Sequence, residues 1–272
     1  MFAGFNVSEL SVKWGEKSYK AGKEIYDENK ADIYSALEDY IVNGDELSAD
    51  EIMDDWFPQV DAQVFLSHSH RDAREIIAFA GWLKEKAGIT AFVDSCVWAY
   101  CDDLIRKLDR KYNVSNNIYQ INQVRAHVYM MLNSSLLKMI DNTECLMFFN
   151  TPHSIIQSKI IVGKPTTYSP WIYSELLATN IIKRRSLEEH RNVLIHESSQ
   201  FSEIKMRYKV CLDGLEDFNT FDYFSWGDAI TENRAAWGQS WDGTQALDIL
   251  YTSKGLFEKG YQKVKVRKSI RG

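Results

Sequence analysis

The hydrophobic pattern changes rhythm once, near Asp61. Before it, Lys13 to Tyr40 carries good helix formers, with Tyr19, Ile25, Ile33, Leu37 and Ile41 as its apolar positions. Ser48-Ala-Asp-Glu51 reads as a capping box for a short helix ending near Trp56-Phe57-Pro58. After Asp61, short apolar runs alternate with helical stripes. Ala62-Gln-Val-Phe-Leu-Ser67 has strand length, and Asp72 is placed to cap the stripe Ile76, Ile77, Phe79, Ala80, Leu83, which ends at Gly88. Thr90-Ala-Phe-Val-Asp94 is the second strand, so residues 61–94 read as a parallel strand–helix–strand unit.

Ser95 to Asp103 reads as a loop, with a helix opening at Asp102 or Asp103 and running through Leu108 to Tyr112. A polar break from Asn113 to Gln120 precedes a helix around Val128 to Ile140. Cys145-Leu-Met-Phe-Phe-Asn150 is the third strand, apolar throughout as a buried parallel strand should be. After a loop from Thr151 to Tyr168, Ser169 is a good N-cap and Pro170 a good first helical residue. That helix is expected to carry Leu176, Leu177, Ile181 and Ile182 and to end on Lys183-Arg-Arg185, a basic run suited to a helix C-terminus. Asn192 to His196 is the expected fourth strand, Phe201 to Leu215 is weakly helical, Phe221 to Trp226 is the expected fifth strand, and Gln245 to Leu256 is the last helix.

Five strands alternating with helices predict an α/β fold, a parallel sheet with helices on both faces. Residues 1–60 are expected to be an acidic helical accessory segment, 61–260 the main domain and 261–272 a basic tail. In such a sheet ligands sit beyond the carboxyl ends of the strands. That edge would gather Ser67 and His68, Asp94 and Ser95, and Asn150. The helix opening at Ser169 begins at the same edge, with Trp171 and Glu175 four apart on one face.

Composition narrows the partners. The formal net charge is -6, with a sequence pI near 5.6, which argues against general binding to a nucleic-acid backbone. The four cysteines form no disulfide framework in 272 residues and read as cytosolic thiols. Neither a signal peptide nor an apolar run of about 20 residues is evident, so a cytoplasmic protein without a membrane span is expected.

Three stretches carry a resemblance. Val64-Phe-Leu-Ser-His-Ser-His-Arg-Asp72 resembles the first box of bacterial TIR domains, Phe92-Val-Asp-Ser95 the strand and loop that follow, and Ser169-Pro-Trp-Ile-Tyr-Ser-Glu175 the Trp-x-x-x-Glu motif of that family. The resemblance covers about residues 60–260 and implies a flavodoxin-like five-stranded parallel sheet with a helical N-terminal extension. It implies an enzyme that breaks the nicotinamide–ribose bond of NAD+, with Glu175 catalytic and Trp171, Ser67, His68, Asp94, Ser95 and Trp98 around the substrate. NAD+ is then a substrate, and no cofactor or metal is expected. The product would be ADP-ribose or a cyclic isomer, read by a downstream effector in anti-phage signalling of the Thoeris type. The loop 95–103 would mediate self-association, with Trp98 and Tyr100 as its anchors. Two features depart from the family: the paired helices between strands two and three, and the N-terminal segment.

The chemistry suits a lone carboxylate. Nicotinamide leaves as a neutral molecule and needs no general acid, while the ribose develops oxocarbenium charge. A unit charge about 4 Å away at an effective dielectric of about 20 is worth roughly 4 kcal/mol, about a thousandfold in rate. The competing readings are a non-catalytic interaction module and a nucleoside-processing transferase with a glutamate nucleophile. His68-Ser-His70 lacks a clear third metal ligand. Gly-x-Ser-x-Gly, Gly-x-Gly-x-x-Gly and P-loop patterns are absent.

Overall fold

The computed structural model describes residues 1–8, 10–28, 61–112, 117–156, 165–191, 208–209, 212, 214–238 and 241–257. The strands are β1 (Ala3–Ser8), β2 (Val64–Ser67), β3 (Ala91–Val93), β4 (Cys145–Asn150), β5 (Thr166–Thr167), β6 (Tyr208–Lys209) and β7 (Glu216–Phe218). The helices are α1 (16–28), α2 (Ala73–Trp82), α3 (Ser95–Lys111), α4 (Ile118–Asn142), α5 (Pro170–Ile181), α6 (Leu187–His190), α7 (Thr220–Trp237) and α8 (Gly243–Ser253). Five strands form one parallel sheet in the order β3-β2-β4-β1-β7; β5 and β6 form a separate antiparallel pair. Taking β2, β3 and β4 as first to third, the sheet follows the flavodoxin-like order 2-1-3 and then places the N-terminal strand fourth.

That placement corrects the expectation of a wholly helical accessory segment over 1–60. β1 runs beside β4 from Ala3↔Cys145 to Ser8↔Asn150 and carries β7 on its other side. Phe2 and Phe5 are among the most deeply buried side chains. Gly4 and Asn6 disguise the strand. A Cβ on Gly4 would lie 2.6 Å from Leu215 Cδ2. Asn6 accepts from Asn150 Nδ2 at 3.1 Å and donates to Asp217 Oδ1 at 3.3 Å, a polar ladder across three strands.

Residues 16–28 are helical as expected. α1 crosses α2 at two glycines: a Cβ on Gly22 would stand 1.8 Å from the Ile77 carbonyl oxygen, and one on Gly81 1.9 Å from that of Ser18. Only bare backbone fits such a crossing. α2 continues as a π-helical turn, Leu83–Ala87, closed by Gly88 at φ 73°. The expected helix at 48–58, the strand at 192–196, most of the weak helix at 201–215 and the basic tail lie outside the described residues.

Three more expectations change. Phe221 to Trp226 is no strand; it opens α7, where Asn219 and Asp222 form a reciprocal capping box. The buried set Tyr223, Trp226 and Ile230 has helical spacing, while Phe221 is 76% and Phe224 56% exposed. The segment 95–103 is no loop; it is the first half of α3, which starts seven residues before Asp102. α5 stops at Ile181, before the basic run. Arg184 and Arg185 instead donate to the carbonyls of Gly214 and Asp141, tying α5 to its neighbours.

The two sides of the sheet hold separate apolar clusters, one under α3, α4 and α5, the other under α2, α7 and α8. No helix among the described residues is long and apolar enough to cross a membrane.

Candidate active site

The end of α5 nearest the sheet follows directly from its sequence. Ser169 Oγ accepts from Ile172 N at 3.3 Å, and Pro170 takes the first turn, where its missing N–H is no loss. The helix then buries Ile172, Glu175, Leu176 and Thr179. This stripe is apolar except for Thr179 and one carboxylate at its centre.

Glu175 is 1% exposed. Its Oε2 accepts from Ser67 Oγ at 2.5 Å, at the carboxyl end of β2, and its Oε1 is buried with no hydrogen-bond partner. Burial raises the Glu175 carboxyl well above the usual range, and the nearby Asp94 carboxylate raises it further against the opposing Ser67 hydrogen bond. The Ser67 hydrogen bond opposes both effects without reversing them.

His68 follows Ser67 and is also buried. Its Nδ1 meets the Leu66 carbonyl at 3.2 Å and stands 2.6 Å from Asp94 Oδ1. Its Nε2 lies 3.1 Å from Ser95 Oγ. Burial would push the imidazole down, but the Asp94 carboxylate and the Leu66 carbonyl outweigh it, and the pKa is raised. β2 and β3 pair directly, which is why Ser67-His68 and Asp94-Ser95 meet. Five of the residues singled out in the sequence, Ser67, His68, Asp94, Ser95 and Glu175, thus share one buried polar cluster.

A cleft of about 270 Å³ opens beside that cluster. His68, His70, Asp94, His153, Trp171 and Ile172 are in its wall. Trp171 is held edge-on by Tyr129, with ring centroids 6.0 Å apart. Glu175 is not in the lining; Asp94, the carboxylate that faces it, is. Trp98 lies within α3, and its side chain is outside the described residues. Asn150 is spent on the Asn6 ladder.

Two site residues were not singled out from the sequence. Asp72, expected to cap α2, makes no cap hydrogen bond. It instead accepts from Thr151 Oγ1 at 2.6 Å and lies 2.5 Å from His153 Nδ1. His153 stands three residues beyond β4, within reach of the rule that selected the loops after β2 and β3. A third contact arrives from α1: Tyr26 donates its hydroxyl to the Ser95 carbonyl at 3.2 Å. Among the described residues no group of three or more His, Cys, Asp or Glu is arranged to hold a metal ion.

Compared with known proteins, the chain matches no family model, no curated protein and no solved structure. The geometry of this edge therefore carries the functional argument.

Proposed function

We propose that this cleft cleaves the bond between nicotinamide and ribose in NAD+, as the TIR-like motifs imply, with the Glu175–Asp94 pair stabilising the ribosyl cation. One observation carries the reading. Two buried carboxyls, Glu175 and Asp94, face each other beside the cleft walled by Trp171; Asp94 Oδ1 meets His68 Nδ1 at 2.6 Å, while Glu175 Oε1 receives no hydrogen-bond donor. An unpaired buried acceptor costs about 1–3 kcal/mol, and a cation or a sugar diol in the cleft relieves it.

The sequence of events follows from charge. The pyridinium enters beside Trp171, whose ring face favours a cation. Its positive charge favours the ionised form of Glu175, whose proton passes to solvent. The C1′–N bond then breaks, its electron pair returns to the pyridine nitrogen, and the charge moves to the ribose ring. A carboxylate about 4 Å away stabilises that charge by roughly 4 kcal/mol at an effective dielectric of about 20.

The cleft volume supports a second reading. About 270 Å³ falls just below the usual range for a drug-sized ligand and suits a nucleoside better than a whole dinucleotide. A nucleoside-processing transferase would use Glu175 as a nucleophile. Incubation with NAD+, nicotinamide mononucleotide and nicotinamide riboside, followed by mass analysis, separates the two. Nicotinamide released fastest from NAD+ supports the first. A sugar trapped on Glu175, with no turnover of NAD+, replaces it with the second.

A further inference from the structure

The turn after β4 is fixed more firmly than a connecting loop requires. Ser154 Oγ donates to the Phe149 carbonyl at 2.8 Å, Thr151 N donates to Ser154 Oγ at 2.8 Å, and Ile155 N donates to the Thr151 carbonyl at 3.0 Å. His153 N donates to Thr151 Oγ1 at 3.2 Å. From the segment between β2 and α2, Asp72 uses both carboxylate oxygens on this turn, Oδ2 toward Thr151 and Oδ1 toward His153 Nδ1. With Nδ1–H directed to Asp72, the neutral ring carries its lone pair on Nε2. The ring itself is in the wall of the cleft and is 47% exposed, so water reaches it.

A base whose second nitrogen is held by a carboxylate is the usual arrangement for taking a proton from an attacking oxygen. We propose that His153, oriented by Asp72, is the general base that directs water to the ribosyl carbon, so that the main product is linear ADP-ribose; this rests on the NAD+ reading above. As the C1′–O bond forms, Nε2 accepts the water proton and later passes it to solvent. The balance is NAD+ and water to ADP-ribose, nicotinamide and one proton. An intramolecular nucleophile competes for the same carbon and gives a ring, and the base biases that competition toward water.

A merely structural role, pinning the turn to the loop after β2, would lower every product together and lower the melting temperature. The base role changes the partition. The test incubates the full chain and its His153→Ala, His153→Gln and Asp72→Asn variants with NAD+, with and without added imidazole and methanol. Nicotinamide, linear ADP-ribose, cyclic ADP-ribose and the methyl glycoside are quantified. In both His153 variants linear ADP-ribose falls by about 100-fold, nicotinamide release falls less, the cyclic share rises, and imidazole restores hydrolysis in His153→Ala. Asp72→Asn falls by about tenfold, because the ring is no longer held in one tautomer. Linear product at the wild-type rate in both His153 variants overturns the proposal and leaves the NAD+ reading standing. So does an equal loss of all products with a lower melting temperature. A wild-type chain inert toward NAD+ and nicotinamide mononucleotide overturns both.

Discussion

Two buried glutamates sit at opposite ends of the sheet, and they are treated in opposite ways. Glu144 precedes β4 at the amino end and receives Arg191 in a two-pronged grip, Nε to Oε2 and Nη2 to Oε1, both at 2.9 Å. Arg191 also reaches Asp248 at 3.0 Å. Burial works against the guanidinium charge, but the two carboxylates outweigh it and its pKa is raised. Burial lifts the Glu144 carboxyl, and Arg191 draws it back. Glu175, beyond the carboxyl end, has a serine hydroxyl and another acid for neighbours. The chain satisfies a buried carboxylate fully where it needs only a joint. Where it leaves one unsatisfied, the unspent interaction is available to a ligand.

The largest expected effect tests that contrast at Glu175. Glu175→Gln keeps the shape and removes the charge. Nicotinamide release should fall by about a thousandfold, while the melting temperature holds or rises, because a neutral amide no longer opposes burial. A folded variant with near wild-type turnover ends the assignment of the charge to Glu175.

Next comes the joint. Arg191→Met strands Glu144 and Asp248 without a cation, a loss of about 3–5 kcal/mol in unfolding free energy. Denaturant titration measures it. The fraction that stays folded should keep its catalytic constants, since this network lies at the far end of β4. A large change in kcat at full folding would mean the two ends are coupled.

How far each end was legible in the sequence differs for physical reasons. The N-cap at Ser169, Pro170 and the stripe behind them are local chemistry, so the start of α5 and the position of Glu175 could be read from the seven residues Ser169 to Glu175. The apolar runs at 62–67, 90–94 and 145–150 were equally plain, and their order placed Ser67 and Asp94 at one edge. β1 was hidden because its ladder partners are distant: Gly4 fits beneath Leu215, and Asn6 bonds residues more than 140 positions away. Aromatic alternation at 221–226 imitated a strand, and only the Asn219–Asp222 box decides for helix. The Arg191 joint was unreadable, because nothing near Glu144 in sequence announces a partner 47 residues on.

A smaller effect follows from pH. The Glu175 pKa is raised on folding, so the folded state holds its proton more tightly than the unfolded chain. Stability from this group is present below the ordinary carboxylate value of about 4.3 and is lost as pH rises through the raised folded value. His68 has the same sign: its contribution is present below about 6.5 and is lost as pH rises through its own raised value. Glu175→Gln removes only the first of these. The melting temperature of the variant minus that of wild type should therefore grow from acid toward neutral and alkaline pH. At Glu144 the matching Gln substitution leaves Arg191 with one carboxylate fewer, so it should destabilise at neutral pH. A difference for Glu175→Gln that stays flat with pH would mean that folding leaves the pKa of this carboxyl unshifted.

The smallest effect probes a contact with no counterpart at the amino end. Tyr26 reaches from α1 to the Ser95 carbonyl, and Ser95 in turn faces His68 Nε2. α1 is not free to relax away, because the Gly22–Gly81 crossing leaves no room for even a methyl group. Tyr26→Phe removes one hydroxyl and keeps the ring, at a net loss of about 1 kcal/mol. If α1 only covers the core, that loss appears in denaturant titration and nowhere else. If it also sets the start of α3, Ser95 shifts, the hold on His68 loosens and Asp94 faces Glu175 differently. Turnover should then fall by about two- to fivefold, the upper bound being the whole 1 kcal/mol expressed in the transition state. Loss of stability with unchanged kcat and KM would confine α1 to packing; loss of kcat at full folding would make it part of the device that sets Asp94 against Glu175.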